Sequence, residues 1–261
     1  MLRNKTFTAI IPARGGSRGI PNKNTKEIAG KPLIYWCIKA AKDSGIFKSI
    51  IVSSDSDEII KLAIHYGVLA SRRPSHLATD TSPVRDTISY TLENIAKPLR
   101  TDYVQLIQPT SPLIRPSTIR RAAVHLVDRK MDMTISVCEA SVPLGVIKPL
   151  PDNWNLKNWF PKEMRNTNRQ SVDTVYCLNG VIYLGKWNIF ESGSDWWEYN
   201  IWPFVMFKDD SVDIDDKYDW QIAELKLKQR LESKKSPILF RNEVNARNFH
   251  PEKDLGMHTN E

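Results

Sequence analysis

Cysteine is scarce in this sequence: Cys37, Cys138 and Cys177 are the only three in 261 residues. They are odd in number and far apart, which excludes a disulfide framework and points to a reducing, cytoplasmic compartment. There is no Cys-x-x-Cys and no His-x-x-x-His, so no zinc site is expected. No run of eighteen apolar residues occurs, so no membrane span is expected. The opening Met1-Leu2-Arg3-Asn4-Lys5 lacks the apolar core of a signal peptide. Basic residues are not interleaved with aromatics, and the net charge of +7 is spread along the chain. That balance suits a solvated surface and anionic substrates rather than nucleic acid. Nor does any histidine stand out as a general base.

What is there begins with Ala9-Ile-Ile-Pro-Ala-Arg-Gly-Gly-Ser-Arg-Gly-Ile-Pro-Asn-Lys-Asn24. Phe7, Ala9, Ile10 and Ile11 predict a short strand, which Pro12 closes to pairing on its side. Three glycines then fall within five residues, Gly15, Gly16 and Gly19, with Ser17 among them. Such a loop can turn several N–H groups toward one anion. Arg14, Arg18 and Lys23 add three positive charges, and a polyphosphate fits. The spacing is neither Gly-x-x-x-x-Gly-Lys-Ser/Thr nor Gly-x-Gly-x-x-Gly, so neither common glycine loop is present.

Downstream, strands alternate with helices. Leu33, Ile34, Cys37, Ile38 and Ala41 recur at helical spacing, with Pro32 before them and Gly45 after. Ser49–Ser53 reads as a buried strand, and Asp55 is placed to cap the next helix, which Gly67 closes. A strand at Val68–Ala70, a helix from Pro83 to about Ile95, the strand Tyr103–Ile107, a helix through Ile119–Val127 and a strand at Met133–Cys138 follow. The pattern predicts an α/β fold, a doubly wound, mostly parallel sheet with helices on both faces. In such sheets ligands bind beyond the carboxyl ends of the strands, where the glycine loop, Arg73 and the Gln108 turn should gather.

From about 142 to 178 the alternation fails. Pro143, Pro149, Pro151 and Pro161 fall here with Trp154, Trp159 and Phe160. A stretch that long without structure is uncommon in a compact domain, and it reads as an arm inserted into a domain spanning 1–238. Exposed aromatics there would need a partner, so a homodimer is expected. Sheet character resumes at Asn179–Leu184, and a last helix should bury Tyr218, Ile222 and Leu225. Residues 239–261 form a polar tail.

Asp213-Ile214-Asp215 is the second chemical element. In an extended strand both carboxylates would face one side, roughly 6.6 Å apart, with Ile214 turned inward. Two hard oxygen ligands suit Mg²⁺. The competing reading is a helix cap by Asp215 or Asp216 ahead of Lys217.

The string Ile11–Ser17 with Gly19–Asn24 resembles the CTP-binding signature of the acylneuraminate cytidylyltransferases, the family of CMP-sialic acid synthetases and their legionaminate and pseudaminate relatives. The family usually has Lys where this chain has Arg18, and Arg is a planar fork rather than a point charge. The resemblance covers about residues 7–228 and implies a Rossmann-like nucleotidyltransferase. Such an enzyme joins CTP to a nonulosonic acid with Mg²⁺ and releases CMP-sugar and pyrophosphate.

It implies nucleotide contacts from Ala13, Arg14, Gly15, Gly16, Ser17, Arg18, Lys23, Asn24, Arg73 and Ser82. Arg73-Pro74 with Leu77-Ala78-Thr79-Asp80 is similar to the segment lining the cytosine pocket. Leu106–Pro112 is similar to the family's Leu-Gln-Pro-Thr-Ser-Pro turn, implying sugar contacts from Gln108, Thr110 and Ser111. Arg169, Gln170 and Tyr183 match further sugar-side positions. Asp213 and Asp215 take the metal positions, and with Arg14 and Lys23 make up the implied catalytic set; Asp219 stays structural.

Some sialate-type members carry Arg where this chain has Cys177, so the sugar stays open among neuraminate, legionaminate and pseudaminate. The Gly19-Ile20-Pro21-Asn22 version leans toward the first two. Another sugar nucleotidyltransferase, of octulosonate type or with a different nucleotide, and a non-catalytic nucleotide-binding protein are the alternatives. The attacking hydroxyl would lose its proton by a metal-bound or substrate-assisted route.

Overall fold

The computed structural model describes residues 2–142, 147–150, 152, 154, 156–157 and 174–235, without the side chains of 95–97, 234 and 235. Strand β1 (Phe7–Pro12) is buried over five of its six residues. Alternate side chains leave it on opposite faces. Phe7, Ala9 and Ile11 enter one core cluster and Ile10 another. Two faces buried at once is what an unbroken apolar strand demands.

A short hairpin, β2 (Glu27–Ile28) with β3 (Lys31–Pro32), leads into helix α1 (Leu33–Ser44). Gly45 ends α1 at φ 67°, its N–H bonded to the Lys42 carbonyl. Then come β4 (Phe47–Ser54), α2 (Asp57–His65), β5 (Leu69–Arg72), α3 (Val84–Thr91), β6 (Tyr103–Leu106) and α4 (Pro116–Asp128). The second half holds β7 (Met133–Glu139), β8 (Tyr176–Lys186), α5 (Trp187–Glu191), β9 (Ile201–Met206) and α6 (Lys217–Lys235).

Among the described residues the main sheet has seven strands in the order β5-β4-β1-β6-β8-β7-β9. β1 is parallel to β4 and β6, and β4 to β5. β8 is antiparallel to both β6 and β7, and β9 is parallel to β7. Only β8 therefore runs against the rest, as a doubly wound, mostly parallel sheet allows. Helices α1, α2 and α4 cover one face through Ile38, Ala63 and Ala122; α3 and α5 cover the other through Ile88 and Phe190. Among the described residues no helix is long and apolar enough to cross a membrane.

Four expectations shift. The strand expected at Val68–Ala70 lies at Leu69–Arg72. The helix from Pro83 stops as α-helix at Thr91 and continues as a wider turn over Leu92–Ala96. Asp55 does not cap α2, whose N-cap is Ser56 without a side-chain bond. Its Oδ1 instead accepts the Gly15 N–H at 3.0 Å, since a loop anion next to unsatisfied amides gains more there. Finally, α6 buries Trp220, Ala223 and Leu227, while Tyr218 and Leu225 face solvent. The helix carries apolar residues on more than one stripe, so its phase is set by what precedes it: Asp216 Oδ1 accepts the Tyr218 and Asp219 N–H groups at 2.7 and 3.0 Å. Most of the arm expected at 142–178 lies outside the described residues, as does the 239–261 tail.

Below α6, the buried Asp210 accepts from Arg115 Nε at 3.0 Å and from Arg230 Nη2. Removing one member of such a cluster strands the others, though Arg115 is half exposed and keeps its water. Asp210→Ala should cost about 2–3 kcal/mol in urea unfolding. Unchanged unfolding would show the cluster to be energetically idle.

Candidate active site

The carboxyl ends of β1, β4, β5 and β6 point the same way, so the segments leaving them converge. Ala13 N–H still bonds the Ser53 carbonyl at 2.9 Å, which carries the chain one residue past β1 before it turns. The loop then bends with Gly15 pinned on Asp55. Asn24 Nδ2 donates to the Arg14 carbonyl at 2.9 Å, tying the far end of the loop to its start.

A cavity of about 250 Å³ opens here. The glycine loop supplies Arg14, Gly16, Ser17, Lys23 and Asn24; Arg73 and Ser82 stand on the opposite wall; Gln108 and Thr110 come from the β6 exit. These expected residues are brought together. Others are not at its wall. Ala13 and Ser111 are fully buried, Ala13 as a continuation of the sheet and Ser111 inside the turn its N–H closes on Gln108. Gly15 spends its N–H on Asp55. Arg18 lies outside the cavity, its side chain 76% exposed. Tyr183 packs its ring on Trp196, although its hydroxyl still feels the Asp213 charge. Arg169 and Gln170 lie outside the described residues.

The cations of the loop are not idle. Arg14 Nη1 and Arg18 Nε both pair with one carboxylate, Asp80. Those hydrogen bonds, Arg14's first, hold the Asp80 carboxyl below the ordinary range. Arg73 is a buried cation: Nη1 donates to Thr87 Oγ1 at 3.0 Å, and Nε finds no partner among the described residues. Burial lowers its affinity for the proton, partly offset by Asp55. A buried guanidinium with a spare donor is ready for an acceptor such as a base carbonyl.

Lys23 reaches across to the Asp213–Asp215 segment. Its Nζ donates to the Ile214 carbonyl and stands 4.0 Å from Asp215 Oδ1. Burial depresses its pKa, against the pull of Asp215 and Asp213. The segment is not the strand expected, but an irregular loop. The alternation survives because Ile214 is fully buried against Ile20, Leu113 and Trp220, between a half-buried Asp213 and an exposed Asp215. Its N–H donates to the Thr110 carbonyl at 2.9 Å. Of the two readings of this stretch, the cap falls to Asp216 and leaves Asp213 and Asp215 free of that duty. Asp219 Oδ2 accepts the Asp215 and Asp216 N–H groups at 3.0 and 3.1 Å, a structural role as expected.

Asp213 is the most constrained of these groups. Burial, with the neighbouring Asp215 charge, pushes its carboxyl above the ordinary range; the Thr110 hydroxyl works the other way. Its Oδ1 is buried without a hydrogen-bond partner among the described residues. An orphaned hard oxygen beside a second carboxylate fits a divalent cation such as Mg²⁺.

Two glycines permit this approach, and the sequence alone does not single out why. A Cβ on Gly19 would lie 2.2 Å from the Asp215 carbonyl oxygen, so the loop could not touch the carboxylate segment with any other residue there. Gly180, at φ +71°, sits where a Cβ would lie 3.3 Å from Asp213 Oδ2 and 3.5 Å from Gln108 Nε2. The pairing of Asp80 with Arg14 and Arg18 is equally absent from linear order, since an acid between two arginines more than sixty residues away has no local signature.

The architecture is that of the Rossmann-like α/β nucleotidyltransferases. A solved CMP:2-keto-3-deoxy-manno-octonic acid synthetase, complexed with CTP, superposes with a TM-score of 0.65 at 15% identity, over 86% of this chain and 99% of that one. Residues 8–170 match the cytidylyltransferase family. An N-acylneuraminate cytidylyltransferase of Escherichia coli is 35% identical over 220 residues, covering 82% of this chain and 50% of that protein. A CMP-N,N'-diacetyllegionaminic acid synthase of Legionella pneumophila is 34% identical over 221 residues, covering 83% and 94%. The chain belongs to the cytidylyltransferase family. It spans about half the length of the Escherichia coli relative and nearly all of the Legionella one.

Asp80 pairs with both Arg14 and Arg18. Asp80→Asn should let inorganic tripolyphosphate bind several-fold more tightly by calorimetry, because no internal carboxylate competes for the two arginines. Weaker binding would make Asp80 a support for the arginines instead.

Proposed function

We propose that the protein is a Mg²⁺-dependent cytidylyltransferase that activates a nonulosonic acid with CTP, giving the CMP-sugar and pyrophosphate. One observation carries the reading. A glycine loop carrying Arg14, Arg18 and Lys23 meets the Asp213–Asp215 carboxylates, with Lys23 reaching the Ile214 carbonyl and Asp215. Nucleotidyl transfer needs that pairing, since its catalysis is positioning and charge neutralisation. The named relatives in Escherichia coli and Legionella act in the same sense.

In this mechanism Arg14 and Arg18 exchange Asp80 for the triphosphate, and the loop amides add their dipoles. Lys23 neutralises charge nearest the α-phosphate. Arg73 and Ser82 receive the cytosine, and the free Oδ1 of Asn24 serves the base or ribose. Gln108 and Thr110 orient the sugar acid, joined by Tyr183 and by Arg169 and Gln170. The sugar hydroxyl, losing its proton by a metal-bound or substrate-assisted route, attacks the α-phosphorus in line; the sugar O–P bond forms as the bond from the α-phosphorus to the bridging oxygen breaks, and pyrophosphate leaves. Asp213 and Asp215 would hold Mg²⁺, whose chemistry is to offset phosphate charge. Three free thiols fit a cytoplasmic setting.

Turnover decides the reading: CTP with a panel of neuraminate, legionaminate, pseudaminate and octulosonate, then each other nucleoside triphosphate, followed by pyrophosphate release. Asp213→Asn and Asp215→Asn should each lower kcat by roughly 10²-fold and raise the Mg²⁺ requirement. The sign for stability is opposite. The folded-state pKa of Asp213 is raised, so its ionised form opposes folding above that pKa, and the cost fades as pH falls through it. Without Mg²⁺ at neutral pH, Asp213→Asn should melt no lower than the parent. Asp216→Ala, which removes the α6 cap, should lose about 1 kcal/mol and keep activity. Thermal melts in chelator beside Mg²⁺ titrations would expose the reverse pattern.

We also propose that the chain works as a homodimer through the 142–178 arm. Ile147, Leu150, Trp154 and Leu156 are all more than half exposed, large apolar side chains that a partner surface would cover. Light scattering should find twice the chain mass at micromolar concentration; a clean monomer would refute the assembly.

A further inference from the structure

Two of the three cysteines, distant in sequence, are neighbours in the sheet. Cys138 near the end of β7 and Cys177 near the start of β8 are register partners in the antiparallel ladder, with sulfurs 3.8 Å apart. Partners in such a ladder have Cα atoms about 4.5–5.5 Å apart, inside the range a disulfide spans. That backbone spacing is compatible with closing the sulfurs by side-chain rotation. The pair is asymmetric: Cys138 is 7% exposed while Cys177 faces solvent. Burial raises the Cys138 thiol, and the neighbouring Cys177 adds to it. A solvent-facing Cys177 is not explained as core packing.

We propose that Cys138 and Cys177 form a reversible, peroxide-responsive dithiol site at the carboxyl edge of the sheet. The Cys177 thiolate attacks one peroxide oxygen and the O–O bond breaks, giving a sulfenic acid and hydroxide. The Cys138 sulfur then attacks the Cys177 sulfur, the S–O bond breaks, and water leaves as the S–S bond forms. In sum, two thiols and one hydrogen peroxide give one disulfide and two waters. Cys37 stays out of the reaction, because it is fully buried and its thiol is pushed upward by that burial.

The site lies two residues from Asn179, whose Nδ2 donates to Ser211 Oγ at 2.8 Å, and Ser211 is two residues from Asp213. The disulfide would fasten the two strand ends from which the 142–178 segment departs and to which it returns. The inference does not depend on the reaction proposed above.

Full-length protein treated with hydrogen peroxide should lose two mass units, and peptide mapping should find Cys138 joined to Cys177 within one chain, reversed by dithiothreitol. Cys37 should remain alkylatable only after unfolding. Cys138→Ser should stop at a Cys177 sulfenic acid trapped by dimedone, and Cys177→Ser should leave Cys138 reduced at the same dose. The proposal is overturned if, in the folded parent protein, Cys138 stays reduced while Cys177 oxidises alone or bridges to a second chain.

Discussion

Ile214 holds the two chemical halves together. Its side chain is buried against Ile20 from the glycine loop, Leu113 from the β6 exit and Trp220 from α6. Its N–H and carbonyl are both taken, by the Thr110 carbonyl and by Lys23. One residue therefore fixes the spacing between a loop at one end of the chain and a helix near the other. The flanking Asp213 and Asp215 inherit that position from the backbone of Ile214, while Asp213 Oδ1 keeps no hydrogen-bond partner among the described residues. This is economical in a physical sense, because groups meant to meet a ligand are left with capacity to do so.

The same geometry explains how so much charge is tolerated in the absence of ligand. Arg14 and Arg18 rest on Asp80, and Lys23 rests beside Asp215. Isolated charges at a partly buried site would be costly, and pairing them within the chain limits that cost. Arg73 and Asp213 are the exceptions. Each has an atom without a partner among the described residues, and each has its proton affinity moved in the direction that favours neutrality. The least satisfied groups mark the places where a ligand has most to offer.

Much of this was legible in linear order. The alternation of strands and helices foretold the sheet, and the glycine loop marked out residues that do line the cavity at its carboxyl edge, because both are local patterns. The inward Ile214 between Asp213 and Asp215 was also legible, though the segment is an irregular loop rather than the expected strand. What escaped was non-local. Asp55 was taken for a cap, because sequence cannot show that Gly15 lies closer to it than its own helix does. The face of α6 was misjudged because several apolar stripes compete there, and the cap at Asp216 chooses among them. Ser111 was read as a contact although its turn points inward. Asp80 became meaningful only once Arg14 and Arg18 were seen around it.

The lone reversed strand has a kinetic consequence. β8 sits between β6 and β7, yet it follows β7 in the chain after a connection of more than thirty residues. The parallel half, β5-β4-β1-β6, can assemble from contacts close in sequence, but its β6 edge then waits unpaired. Neither β7 nor β9 can join the sheet until β8 has been inserted, and that step closes a long loop before it is rewarded. The β6 edge therefore depends for its backbone hydrogen bonds on a strand that follows late in the chain, and closing that connection carries a long-loop cost that the neighbouring parallel pairs do not share.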